Sequence, residues 1–362
     1  MRILIAVSKL TGGGAERVAS LWARGFVLQG YEVGIVLNCR NTTSITYEVP
    51  QEVPIYNIWS KYGRISEKLL GTDITKTFRF KGIIRRFNPD VIIGVMRPWA
   101  EVAYKATKGS GIKIINTEHN SFKRPDTAPM AKADCLSKFE LNKHYSKVTV
   151  LTEADKRCVS GILNNVVVMP NPLPYEPASV MPTKNKIIMA AGRLDAWYVK
   201  GFDVLIKAWG KIADENPDWK LVIAGEGKEE SLQFLQEIAE KYHFKEQLQF
   251  VGYIDDLLPL YRKSSIYVLS SRYEGFGMAL IEAMSQGCAP IVCDYHGRQR
   301  EIVTSEKEGL ICETDDVKTL SDAMSQLIND DESRRQIQQN AIERSKYYQL
   351  DHIMEIWNRI LA

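Results

Sequence analysis

The sequence predicts an α/β protein of two doubly wound parallel-sheet domains. Three observations carry that expectation. Short runs rich in Val, Ile and Leu alternate with longer helical stretches along all 362 residues. Several runs, such as Ile3-Leu4-Ile5-Ala6-Val7 and Val91-Ile92-Ile93-Gly94-Val95, are apolar without alternation, as parallel strands covered on both faces require. Prolines crowd at Met169-Pro170-Asn171-Pro172-Leu173-Pro174, followed by Pro177 and Pro182, where neither a helix nor a central strand can continue. A fresh strand–helix series starts at Lys186, so two Rossmann-like domains joined by a short hinge are expected. The length suits two domains, and 45% hydrophobic with 25% charged residues suits an ordinary soluble chain, not a disordered or collagen-like one.

In order, the first-half strands are expected at residues 3–7, 33–37, 53–58, 91–95, 113–117, 148–151 and 166–169. Those of the second half are expected at 186–191, 221–224, 248–251, 266–269, 289–293 and 309–312. A helix is expected over 15–29, and the chain ends in an amphipathic helix carrying Ile353, Met354, Trp357, Ile360 and Leu361. No apolar run approaches the ~18 residues of a membrane span. The run after Met1-Arg2 is too short for a secretory segment and reads as a strand, which predicts a cytoplasmic location. Cys39, Cys135, Cys158, Cys288, Cys293 and Cys312 lack CxxC or Cys/His spacing and are expected as reduced thiols, not as disulfides or a zinc site.

Charge is divided unevenly. Residues 1–170 hold 25 Lys and Arg against 14 Asp and Glu, and the remainder holds 22 against 30. The densest basic stretch, 60–90, carries Lys61, Arg64, Lys68, Lys76, Arg79, Lys81, Arg85 and Arg86 against Glu67, Asp73 and Asp90. Leu69, Leu70, Phe78, Phe80, Ile83, Ile84 and Phe87 fall among them, a pattern that suits either an anionic membrane surface or a core-packed helix with a solvated basic face.

Three places suit chemistry. Gly12-Gly13-Gly14 follows the first strand and precedes a helix, so the backbone can turn tightly and offer amides to an anion; a glycine turn that binds nothing has equal weight. Gly192-Arg193-Leu194 and Lys200-Gly201-Phe202-Asp203 follow the first strand of the second domain, where two cations can neutralise a diphosphate or simply face solvent. Glu274 lies in the loop Ser271-Arg272-Tyr273-Glu274-Gly275-Phe276-Gly277, with Glu282 eight residues on in the helix that starts near Gly277. Two carboxylates flanking a helix N-terminus suit sugar hydroxyls; the plain alternative is one capping and one solvated glutamate.

In their order and spacing across both domains these segments resemble a family 4 retaining glycosyltransferase of the GT-B fold, of the bacterial polysaccharide and lipid-linked oligosaccharide type. The resemblance rests on Gly12-Gly13-Gly14-Ala15-Glu16-Arg17, Pro170-Asn171-Pro172-Leu173, Gly192-Arg193-Leu194 with Lys200-Gly201-Phe202-Asp203, Ala224-Gly225-Glu226-Gly227, Val251-Gly252, and Glu274 with Glu282. It implies two Rossmann-like domains facing across a cleft: an acceptor domain over 1–170, a nucleotide-sugar domain over 171–345, and a terminal helix over 346–362 that crosses back to the first domain. It implies that Arg193 and Lys200 hold the donor diphosphate, Glu274 meets donor-sugar hydroxyls, and Glu282 meets the ribose. Gly13, Gly14, Phe276, Gly277 and Met278 would line sugar and phosphates, Tyr253 would lie in the loop at the nucleobase, and His119 would face the reacting sugar, or merely satisfy its loop.

Two departures stand out. The lysine follows the arginine after seven residues where family members often have five, and the usual Gly-Gly-Pro-x-Glu-like segment reads Gly297-Arg298-Gln299-Arg300-Glu301. With no Asp-x-Asp in the chain, no metal and no cofactor are expected. The implied reaction is metal-independent, retaining hexosyl or N-acetylhexosaminyl transfer from a nucleotide sugar, a UDP-sugar in preference to a GDP-sugar. The implied acceptor is a lipid-linked glycan or polysaccharide of O-antigen, lipopolysaccharide, capsule or glycoprotein type. Another GT-B enzyme, such as a UDP-sugar epimerase or a glycogen-synthase-like polymerase, and a non-catalytic nucleotide-binding protein are the alternatives. Nucleic acid is not an expected partner, because aromatics do not interleave with the basic residues.

Overall fold

The computed structural model describes residues 1–39, 45–59, 72–125, 129–242 and 244–362. They form two compact units, Met1–Pro174 with Leu350–Ala362, and Tyr175–Gln349. Residues 171–174 therefore go with the first unit and 346–349 with the second.

The first unit is built on a parallel sheet of β1 (Arg2–Ala6), β2 (Glu32–Leu37), β3 (Ile55–Asn57), β4 (Val91–Val95), β5 (Lys113–Thr117), β6 (Lys147–Val150) and β7 (Val166–Val168). Among the described residues its order is β3-β2-β1-β4-β5-β6-β7, so the winding reverses between β1 and β4. Ile3, Leu4, Ile5 and Ala6 are all fully buried, which explains why β1 shows no polar alternation. The helix Gly14–Leu28 lies beside this sheet, and the C-terminal helix Leu350–Leu361 packs on it. Trp357 meets Trp22 edge-on at 5.0 Å and Phe26 at 5.4 Å. Gly25 admits that packing, since a Cβ there would lie 2.5 Å from Met354 Sδ.

The helix Thr72–Phe87 divides the apolar residues of the basic stretch. Phe80 and Phe87 are in the core, with Ile83 and Ile84 packed against it, whereas Phe78 and Ile74 are exposed. Lys61, Arg64, Glu67, Lys68, Leu69 and Leu70 lie outside the described residues. Among the described residues no helix is long and apolar enough to cross a membrane.

The second unit repeats the plan with β8 (Asn185–Ala191), β9 (Lys220–Ala224), β10 (Leu248–Phe250), β11 (Ser264–Leu269), β12 (Ala289–Asp294) and β13 (Leu310–Glu313). All neighbours are parallel, in the order β10-β9-β8-β11-β12-β13 among the described residues. The winding reverses between β8 and β11. In open α/β sheets such a reversal opens a crevice at the carboxyl ends of the two strands, because their connections leave in opposite directions.

Candidate active site

The loops that follow β8 and β11 flank that reversal, and they carry most of the residues singled out in the sequence. Arg193, exposed, comes two residues after β8. Backbone bonds from Gly192 N–H to the Ala224 carbonyl and from Leu194 N–H to the Glu226 carbonyl tie its loop to the one after β9. The five residues between Arg193-Leu194 and Lys200 do not bulge freely. They fold as a 3-10 turn, Leu194–Ala196, and a single helical turn, Trp197–Lys200. Asp195 accepts hydrogen bonds from Lys228 N–H (2.7 Å) and Ser231 Oγ (3.0 Å), and the Lys228 N–H bond in particular holds its carboxyl below the usual range. Trp197 packs against Phe234 with the rings tilted and their centroids 4.4 Å apart, and Tyr198 is left as the exposed aromatic of the segment.

Lys200 ends that turn because Gly201 takes the left-handed conformation (φ 64°), and a Cβ at Gly201 would sit 2.0 Å from the Ser270 carbonyl oxygen. The close approach brings the two loops together. Lys200 Nζ lies 2.6 Å from Glu274 Oε1, which also accepts from Ser271 Oγ at 2.7 Å. A cation and a carboxylate assigned to one donor are thus already paired, and Glu274 is no helix cap. The helix Met278–Ser285 starts at Gly277 (φ 95°) without any side-chain cap, which leaves the positive end of its dipole facing the loop. Phe276 is buried against Tyr348, with ring centroids 5.6 Å apart.

Glu282 is not a solvated helical glutamate. It is only 5% exposed, and the Tyr261 hydroxyl donates to its Oε2 at 3.1 Å. Burial, and after it the Glu282 charge, pushes the Tyr261 phenol well above its ordinary pKa, so Tyr261 stays a donor. Tyr253 is exposed, with its hydroxyl 3.2 Å from Asp255 Oδ1. Arg298, in the departing glycine-poor segment, is buried and donates to the Gly275 carbonyl, so its charge faces the Glu274–Gly277 loop.

The first unit holds Gly13, Gly14 and His119. Gly13 precedes the helix, and the Glu16 carboxylate folds over it: a Cβ there would be 1.9 Å from Glu16 Oε2. His119 follows β5, with Nε2 3.1 Å from Thr117 Oγ1 and its ring 5.6 Å from that of Trp22. Burial lowers its pKa from 6.5 to about 4; a hydrogen bond with Asn171 opposes the shift and the Lys138 charge adds to it. The imidazole is therefore neutral at neutral pH.

Several contributors escaped the sequence reading. Lys138 Nζ forms a buried ion pair with Glu118 Oε2 at 3.0 Å and donates to the Asn120 carbonyl at 2.9 Å, bracketing His119 in sequence. Glu118 Oε1 also accepts from Asn116 and Asn142. Arg272 and Asp203 form a bidentate pair beside Lys200. Asp203 and Arg272 stand inside the quoted segments, but their pairing has no signal in spacing. Among the described residues no three His, Cys, Asp or Glu side chains gather as a metal site would need.

The chain matches two family models in succession: "Glycosyltransferase Family 4" over residues 12–176 and "Glycosyl transferases group 1" over 175–344. It is 28% identical to the amylovoran biosynthesis glycosyltransferase AmsD of Erwinia amylovora, over 99% of each chain. It is 23% identical, over 100% of this chain and 98% of the other, to a Campylobacter jejuni protein named GalNAc-alpha-(1->4)-GalNAc-alpha-(1->3)-diNAcBac-PP-undecaprenol alpha-1,4-N-acetyl-D-galactosaminyltransferase. The structure is similar, with a TM-score of 0.81, 14% identity and 99% of each chain covered, to a mutant of S. aureus TarM crystallised with fondaparinux, alpha-GlcNAc-glycerol and UDP.

Proposed function

This chain belongs to the glycosyltransferases of GT-B fold that join a family 4 half to a group 1 half, and from that premise we propose that it moves a hexose or N-acetylhexosamine from a UDP-sugar to a lipid-linked or polysaccharide acceptor, with retention and without a metal. The observation that carries this reading is the arrangement at the strand-order reversal of the second unit. Arg193, Lys200, Glu274 and Glu282 stand there on the loops and helix that follow β8 and β11, beside an uncapped helix N-terminus. Two cations suit a diphosphate, and two carboxylates suit sugar and ribose hydroxyls. The UDP bound in the TarM complex and the undecaprenol-linked glycan in the Campylobacter relative's name support the donor base and the acceptor class.

In this reading the bond from the sugar's anomeric carbon to the β-phosphate oxygen breaks first, giving a short-lived oxocarbenium-like ion pair. Arg193, Lys200 and the helix N-terminus stabilise the negative charge that grows on the leaving UDP. The acceptor hydroxyl then attacks from the same face and passes its proton to a phosphate oxygen. Donor binding draws Lys200 toward phosphate and Glu274 toward sugar hydroxyls, so the ion pair between them is exchanged for contacts with the donor. For His119 the family resemblance suggests a role at the reacting sugar; a buried, neutral imidazole would serve there as a hydrogen-bonding group that brings no charge of its own.

Incubation with the common UDP- and GDP-sugars, reading nucleotide release with and without EDTA, tests this. The reading expects release from a UDP-sugar that survives EDTA. Release confined to GDP-sugars, or abolished by EDTA and restored by Mg²⁺ or Mn²⁺, contradicts it.

A further inference from the structure

We propose that Arg272 is a positioning residue of the donor site: it clamps three loops at the carboxyl edge of the second sheet so that Lys200 meets the β-phosphate of the nucleotide. The proposal rests on the donor reading above and deepens it.

Arg272 lies two residues before Glu274 and is 11% exposed at its side chain. Its two terminal nitrogens bind the two oxygens of Asp203 at 2.8 and 2.9 Å, the fork geometry that only a guanidinium offers a carboxylate. Its Nε donates to Asp315 Oδ1 in the loop after β13, and Nη1 also reaches the Tyr198 carbonyl. Its backbone N–H donates to the Val199 carbonyl at 2.8 Å, and its guanidinium lies 4.1 Å from the centre of the Tyr198 ring. One side chain and its amide therefore grip residues 198, 199 and 203, on both sides of Lys200. Ser270 Oγ completes the seam by donating to the Lys200 carbonyl at 2.8 Å.

Lys200 needs such a seam. It ends a single helical turn, too short to hold itself in water. Lysine also binds phosphate as a point charge on a flexible stem, so its placement depends on where its backbone is fixed. The lengthened arginine-to-lysine segment is thus fixed from outside, by Arg272, and the same residue sets the start of the loop that presents Glu274.

The test separates positioning from general stabilisation by comparing two ligands that differ only in the β-phosphate. Dissociation constants of UDP and UMP are measured by calorimetry for wild type, Lys200→Ala, Arg272→Gln, Arg272→Lys, Asp203→Asn and the double variant Lys200→Ala/Arg272→Gln. The preference for UDP over UMP should fall roughly tenfold or more in Lys200→Ala and comparably in Arg272→Gln, with UMP affinity held within about twofold, the signature of one lost charge-assisted contact. Arg272→Lys should not restore it, and the double variant should be no worse than Lys200→Ala. Asp203→Asn keeps the arginine and its Asp315 bond, and should lower the same preference if Arg272→Gln does not fold. A normal preference in every folded Arg272 and Asp203 variant, equal losses for UDP and UMP, or a double variant well below Lys200→Ala overturns the positioning role. An unchanged preference in Lys200→Ala overturns instead the donor reading beneath it.

Discussion

At the scale of single residues the site works by pairing. Glu282 is buried one turn into the helix Met278–Ser285, and the Tyr261 hydroxyl donates to its carboxylate. Removing the carboxylate should weaken UDP binding strongly, whereas Tyr261→Phe, which keeps the ring, should weaken it by roughly tenfold, about 1.4 kcal/mol. Unchanged UDP affinity by calorimetry in Glu282→Ala contradicts the ribose role. His119 gives a prediction with a sign. Its pKa falls from 6.5 unfolded to about 4 folded, so between those values the unfolded chain binds a proton that the native one does not. That contribution is fully present above pH 6.5 and is lost as pH falls toward 4. His119→Gln should flatten the fall in melting temperature over that window; a parallel fall in both proteins counts against a buried neutral ring. The candidate site residues were partly legible. Glu274 and Glu282 announced themselves by spacing around two glycines, but the Tyr261 partner did not, because its helix, Leu258–Lys263, is separated from Glu282 by a whole strand.

At the scale of elements, each of the thirteen expected strands has its counterpart among the described residues; central ones such as β1 and β4 are buried and read as nearly unbroken apolar runs, whereas β3 (Ile-Tyr-Asn) and β10 (Leu-Gln-Phe) at the sheet edges are short and only partly buried. The least regular pieces were the least legible. Residues 132–144 pass through an α turn, a π turn and a 3-10 turn, and residues 194–200 through a 3-10 turn and one α turn, with no periodicity to read. The helix Thr72–Phe87 shows how composition can mislead: its aromatics are not one surface, since Phe80 and Phe87 fill the core. What it does expose is Ile74 and Phe78 one turn apart, with Lys81 and Arg85 following on the helical repeat. That narrower face suits an anionic leaflet, each cation adding about 1 kcal/mol near the surface. Sedimentation with anionic vesicles should pull the protein down at low salt and release it at high salt, and Lys81→Glu/Arg85→Glu should weaken it. Wild-type protein that stays in the supernatant at low salt rules the membrane contact out.

At the scale of the whole molecule, two units of the same strand order divide the candidate residues unequally. The second gathers both cations and both carboxylates at one strand-order reversal; the first supplies a glycine turn covered by Glu16 and a neutral histidine set beside a buried ion pair. The proposed transfer therefore requires that the second unit's cations serve the leaving group. The rate of UDP release from the accepted UDP-sugar, measured for wild type, Arg193→Ala and Lys200→Ala, tests this most directly. Each variant should fold as wild type and turn over roughly 10²-fold more slowly, the effect of removing a contact to charge that develops in the transition state. Wild-type rates in both folded variants would contradict it.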